Sequence, residues 1–128
     1  MGKTRKMKVL IVDDEVEFAS TLVERLRLRN IVAEGVFSGE DSLGMITDYS
    51  PDVVILDLKL PGMSGLNVLS KIKDIDPTIE VILLTAHGSF EAGLSGMELG
   101  AFDYIIKPVD LTQLMEKIAE AYEKKRGK

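Results

Sequence analysis

The stretch Val53-Val54-Ile55-Leu56-Asp57-Leu58 decides the fold. Its first four residues are apolar and three are β-branched, the composition of a strand buried on both faces of a sheet. An unpaired buried charge is costly, so the Asp57 carboxylate marks where this strand leaves the core. Pro61 and Gly62 then turn the chain away. A carboxylate at the C-terminal end of a central parallel strand lies on the edge where open α/β sheets bind ligands. Taken alone, Asp57 fits an acid in a surface loop equally well, and the rest of the chain has to separate the two readings.

On either side the chain alternates strand and helix. Residues 8–12 read as a buried strand (β1) stopping at Asp13-Asp14. Helical spacing of Val16, Ala19, Leu22, Val23 and Leu26 predicts a helix over 15–29 (α1). Residues 31–36 form a short strand (β2), interrupted by Glu34 and Gly35. Ser38, with Asp41 three residues on, is an N-cap for a helix reaching 48 (α2), which carries a destabilising Gly44. Ser50-Pro51 ends it before the central strand (β3). Leu66, Leu69 and Ile72 mark a third helix (α3), closed by Asp76-Pro77, and residues 80–85 a fourth strand (β4). Ser89 is placed to cap a fourth helix (α4) whose buried face is Phe90, Leu94 and Met97, ending at Gly100. Residues 103–106 form the last strand (β5). Asp110 and Gln113 make a capping box for a helix lined by Leu111, Leu114, Met115, Ile118 and Tyr122 (α5).

This (βα)5 alternation with short connections predicts a doubly wound α/β domain: one parallel sheet covered by helices on both faces through right-handed crossovers. Four of the five strands end in Asp13-Asp14, Asp57, Thr85 and Lys107, and a parallel sheet brings those ends to one edge. The second strand ends in Val36-Phe37 and is pushed outside, which gives the flavodoxin-like order 2-1-3-4-5 with its cleft between β1 and β3.

At 128 residues the chain is one domain with a sizeable core. Hydrophobic content of 45% with 29% charged residues is ordinary for a soluble globular protein, and no apolar run approaches the ~18 residues of a membrane span. The basic start at residues 1–7 reads as an extension, not a signal peptide, since the apolar run after it stops at Asp13. The absence of cysteine excludes a disulfide framework and a thiolate metal site, and points to the cytoplasm. A net charge of −5 argues against direct nucleic-acid contact. The core domain is expected over 8–123. The basic residues 124–128 are either a solvated helix end or the start of a linker.

Three carboxylates at one sheet edge repel one another unless a cation joins them or some are protonated. All-oxygen ligands favour Mg²⁺, with Mn²⁺ as an alternative. With a lysine and a threonine hydroxyl opposite, the edge becomes a cradle for a phosphoryl group, and Asp57 a nucleophile that forms an acyl phosphate. Each residue also has a plainer reading. Asp13 or Asp14 caps α1, Thr85 is a strand-end hydroxyl, Lys107 a surface charge and Pro108 a strand stop.

The segments Val12-Asp13-Asp14-Glu15, Leu56-Asp57-Leu58-Lys59-Leu60-Pro61-Gly62, Leu84-Thr85-Ala86 and Tyr104-Ile105-Ile106-Lys107-Pro108 together resemble the motif set of response-regulator receiver domains, across about Lys8 to Tyr122. The resemblance implies that Asp57 takes a phosphoryl group from a histidine kinase or phosphotransfer protein. It implies that Asp13, Asp14, Asp57 and the backbone carbonyl of Lys59 hold Mg²⁺, and that Lys107, before a cis Pro108, pairs with the phosphoryl oxygens. Thr85 is expected to move toward the phosphate and Tyr104 to turn in behind it, reorganising the α4-β5-α5 face, a candidate homodimer surface. Such a protein is a signalling phosphoprotein and not an enzyme, catalysing only its own phosphorylation and dephosphorylation.

Lys59 and His87, two residues past Asp57 and Thr85, either tune the lifetime of the phosphate or are inert surface residues. Gly93 and Gly96 either weaken α4, making it the least stable helix, or allow close packing. Output runs either by protein contact, as a single-domain regulator, or through an effector domain beyond Lys128. A haloacid-dehalogenase-type phosphatase would want an acid where Lys59 stands. A flavodoxin-like nucleotide carrier would want a Gly- or Ser/Thr-rich loop where Asp13-Asp14-Glu15 stands.

Overall fold

The computed structural model describes residues 6–86 and 90–127. Ser89 and His87, and most of the basic extension, lie outside the described residues. The elements run β1 (Lys8–Val12), α1 (Val16–Leu28), β2 (Val32–Val36), α2 (Gly39–Asp48), β3 (Val53–Asp57), α3 (Gly65–Ile75), β4 (Glu80–Thr85), α4 (Phe90–Glu98), β5 (Asp103–Ile106) and α5 (Leu111–Lys125). All strand pairs are parallel, in the order β2-β1-β3-β4-β5. This is the expected flavodoxin-like topology, with β3 in the centre.

Strand side chains alternate faces, and the core divides accordingly. Val9, Ile11, Val53, Ile55, Ile82, Leu84 and Ile105 pack with α1 and α5. Leu10, Val12, Val54, Leu56, Val81 and Leu83 pack with α2 and α3. Every residue of β3 is buried, so the strand reaches solvent only at its ends.

The caps follow the local sequence. Ser38 accepts from the Asp41 N–H and Asp110 from the Gln113 N–H, as expected. Ser64, a cap absent from the sequence reading, accepts from the Asn67 N–H and starts α3. Glu15, the N-cap residue of α1, makes no side-chain capping bond. Asp13 instead accepts the Glu15 N–H just ahead of the helix. Val16, one of the apolar residues whose spacing predicts α1, is exposed. Gly65 opens α3 beside the backbone that follows β3, where a Cβ would lie 2.5 Å from Leu58 Cα. A glycine is required for that approach.

The expected buried face of α4 is corrected. Phe90, Leu94 and Met97 are 56%, 46% and 38% exposed, and the buried residues are Gly93 and Gly96. The helix sits so close to the sheet that a Cβ on Gly93 would meet the Tyr104 ring at 2.8 Å, and one on Gly96 would strike Leu83 Cδ1. Close packing explains both glycines. At the other end of the chain α5 runs to Lys125, where Lys125 pairs with buried Asp52 at 3.1 Å and Lys124 with Glu80 at 3.6 Å.

Glycines with different surroundings should respond oppositely to alanine. At Gly44, with open space around it, Gly44→Ala is expected to stabilise by about 0.5–1 kcal/mol. Gly96→Ala must displace Leu83 from a filled core, at about 1–3 kcal/mol, more than helix propensity returns. Urea unfolding of the two variants should shift in opposite directions. A common direction would remove the packing account of α4.

Candidate functional site

The strand ends build the site. Where β1 stops, the Asp13 N–H still donates to Val36 O at 3.1 Å, which leaves the Asp13 side chain fully buried while Asp14 and Glu15 emerge into solvent. Asp57 ends β3 at 6% exposure. Thr85 ends β4, and its carbonyl accepts from the Lys107 N–H at 2.8 Å, so the β4–β5 ladder carries Lys107 to the same edge. The Lys107-Pro108 peptide is cis, as expected. Asp14, Glu15, Asp57, Lys59, Ala86 and Lys107 line a cleft of about 330 Å³.

Lys107 is the hub. Its Nζ donates to Glu15 Oε1 at 2.7 Å, Asp13 Oδ2 at 3.1 Å and Asp57 Oδ2 at 3.4 Å. It also lies 5.0 Å from the centre of the Phe18 ring. Asp13 Oδ1 accepts from the Glu15 N–H at 2.9 Å, and Asp57 Oδ1 from the Lys59 N–H at 3.0 Å. Burial alone would push the Lys107 ammonium down, but Glu15, Asp13 and Asp57 together hold it above its ordinary value. Burial pushes Asp13 above the usual carboxylate range; neighbouring Asp57 adds to this, and the Glu15 N–H and Lys107 offset only part. Lys107 holds Glu15 below that range.

One carboxylate oxygen from each of Asp13, Asp14 and Asp57 lies within 4.8 Å of the other two. Hard oxygen donors, one pushed up by burial and like charge, suit a small divalent cation such as Mg²⁺. Thr85 is 1% exposed, and its Oγ1 has no hydrogen-bond partner among the described residues. An orphaned buried hydroxyl costs about 1–3 kcal/mol, a penalty that an acceptor arriving at this edge would relieve.

Tyr104 lies one step away from this cluster. It stands in register with Leu83, two residues before Thr85, and its ring rests on Gly93 and meets Phe90 edge-on at 6.5 Å. The Lys59 side chain is exposed at the rim. Sequence reading missed Glu15 as a partner of Lys107, and Phe18 beside it. The available signal was position: Glu15 directly follows the strand-end acids, and Phe18 is one helical turn further along α1.

A doubly wound α/β domain that gathers an acidic triad and a lysine at its strand ends defines a class of phosphoryl- or cation-binding folds. Within that class, residues 9–119 match the response regulator receiver domain, and the chain belongs to that family. It is 34% identical to sporulation initiation phosphotransferase F of Bacillus subtilis over 111 residues, 87% of this chain and 90% of that protein. It is 33% identical to the transcriptional regulatory protein ZraR of Salmonella typhimurium over 116 residues, 91% of this chain but only 26% of the relative. Among solved structures, a CheY-like receiver domain protein from Methanospirillum hungatei superposes with a TM-score of 0.91 at 28% identity, covering 96% of this chain and 98% of the other.

Asp13 makes the stability of the metal-free protein depend on pH. Its folded form binds a proton more tightly than the unfolded chain, so the penalty is absent below the ordinary 3.8 and complete above the raised folded value. Stability should therefore fall as pH rises through that interval. At pH 7 with a chelator, Asp13→Asn is expected to raise the unfolding free energy by about 1 kcal/mol, seen as a higher urea midpoint. Mg²⁺ at ten times its Kd should stabilise the unsubstituted protein by about 1.4 kcal/mol and the variant much less. A variant no more stable than its parent would refute this electrostatic account.

Proposed function

We propose that this receiver domain is a phospho-accepting signalling switch in which Asp57 takes a phosphoryl group from a histidine kinase or phosphotransfer protein. The observation that carries the reading is the meeting of Asp57 with Lys107 and the acidic pair in one open cleft. One Asp57 carboxylate oxygen forms the new bond to phosphorus as the donor's bond to phosphorus breaks, and the electron pair leaves with the donor. The Lys59 N–H orients the carboxylate. Lys107 brings a permanent positive charge to the transferring oxygens. Asp13, Asp14, Asp57 and the Lys59 carbonyl would hold Mg²⁺, which when bound offsets the carboxylate repulsion and the charge of the phosphoryl oxygens.

The switch follows from the acceptors that the phosphoryl group adds, roughly three oxygens and one to two negative charges. The orphaned Thr85 hydroxyl is drawn to them. Tyr104 then gives up its seat on Gly93, and the α4-β5-α5 face changes its population of states. That face would be read by a second copy, a partner protein or an attached effector domain. The family works through histidine kinases and effectors, and this chain spans between about a quarter and a half of the curated transcriptional relatives it matches. Lys59 stands at the rim, where its side chain crowds the path of a hydrolytic water. The same residue disfavours the dehalogenase-type phosphatase, which would want an acid there. We read the chain as a signalling protein whose chemistry is confined to its own aspartate.

Intact mass after incubation with Mg²⁺ and acetyl phosphate should show one added phosphoryl group, absent in Asp57→Asn and abolished by a chelator. Once the donor is removed, the group should decay faster in Lys59→Asn. No addition at any Mg²⁺ concentration would sink the phospho-acceptor reading, and an unchanged decay the role of Lys59. A switch element also has to be loosely held. Because α4 buries only two glycines, its amides should exchange faster than those of α1. Equal protection would argue against α4 as the moving part.

A further inference from the structure

Three carboxylates compete for the Lys107 ammonium, which has three hydrogens to give. The shortest contact, 2.7 Å, goes to Glu15, the exposed one and the one outside the acidic triad. Phe18, one turn further along α1, draws the ammonium in the same direction through its ring face. Asp57 is left with the longest bond, 3.4 Å.

We propose that Glu15 is a positioning residue of the phosphoryl site: it holds Lys107 on the α1 side of the cleft in the unphosphorylated protein, and the lysine exchanges Glu15 for phosphoryl oxygens when Asp57 is phosphorylated. The proposal rests on the reading of Asp57 given above. The backbone of Glu15 is tethered, since its N–H donates to Asp13 Oδ1 and it begins α1, so it does not follow the lysine toward Asp57. Its side chain is 64% exposed and turns readily into water once the ammonium leaves. Asp13, fully buried, has no such alternative. Glu15 is thus the contact that gives way. An exposed ion pair is weak enough to yield to a phosphoryl group, yet while it lasts it withholds the lysine from an incoming donor.

Glu15 also adds negative charge that repels an anionic donor, and reach separates the two effects. Glu15→Asp keeps the charge but is one methylene too short to hold Lys107. Glu15→Gln keeps the length and loses the charge. Glu17, exposed on the same helical turn with no ion pair among the described residues, reports the general field.

With acetyl phosphate and Mg²⁺, Glu15→Asp and Glu15→Gln should both be phosphorylated faster, by about threefold or more, while Glu17→Gln stays within about 1.5-fold of the parent. In metal-free protein, nitrogen-15 NMR of the lysine side chains should find the Lys107 ammonium protons protected from exchange, and the protection lost in both Glu15 variants. A Glu15→Asp protein that matches the parent, or a Glu17→Gln protein that matches Glu15→Gln, would reduce the effect to charge alone and overturn the proposal. Unchanged ammonium exchange would overturn it too. If the parent takes no phosphoryl group, the Asp57 reading falls and this role with it. If the parent is phosphorylated and the Glu15 variants are no faster, only the role of Glu15 falls.

Discussion

One ammonium group balances the C-terminal edge of this sheet. Lys107 reaches Asp13, Asp57 and Glu15 together, and without it two buried carboxylates would face each other across strands β1 and β3. The balance is incomplete, because Asp13 remains above the ordinary carboxylate range even with the lysine in contact. The edge therefore stays short of positive charge. A site in that condition suits a divalent cation, whose charge would offset the repulsion among the three carboxylates.

The rest of the fold makes such an edge unavoidable. With Val53 to Asp57 buried on both faces and flanked by β1 and β4, the middle of the sheet has no surface on which to do chemistry. Along β1, β3 and β4 polar residues are confined to the strand ends, and parallel connections collect the C-terminal ends on one side. The glycine face of α4 obeys the same constraint from outside. Burying Gly93 and Gly96 lets the helix lie against Tyr104 and Leu83, while its larger apolar residues, Phe90, Leu94 and Met97, remain exposed. The result is a short helix held by proximity and not by interlocking side chains, next to a strand that ends in the site.

The strands, their order and the residues at their ends were legible because buried parallel strands are written as continuous apolar runs, and all but β2 stop at a polar residue. The face of α4 was not legible. Periodicity searches for large apolar side chains and takes them as buried, whereas this helix buries residues that carry no hydrophobic signal. Glu15 escaped for a related reason. An exposed acid at a helix start has an ordinary explanation in the helix dipole, and only the three-dimensional position of a lysine 92 residues later gives it another. Ser64 was simply hidden in a loop already explained by Pro61 and Gly62.

The opposite edge of the sheet shows what distinguishes the carboxylates of the candidate site from buried acids that fasten the fold. There Asp52 is also fully buried, but its oxygens meet the Lys8 N–H at 2.9 Å and Lys125 at 3.1 Å, while Glu80 meets Lys124 at 3.6 Å. Each of these acids has a cation of its own, contributed by the last turn of α5, and the contacts fasten that helix to the start of β3 and β4. At the C-terminal edge three acids share one lysine, and Asp14 stands beside them without an ion pair among the described residues. Burial is similar at both ends; the ratio of cations to carboxylates is not. The fold gives each buried acid a cation of its own at one edge and makes three acids share one at the other, and the exposed Glu15 is the member of that group that can release its share of the lysine at least cost.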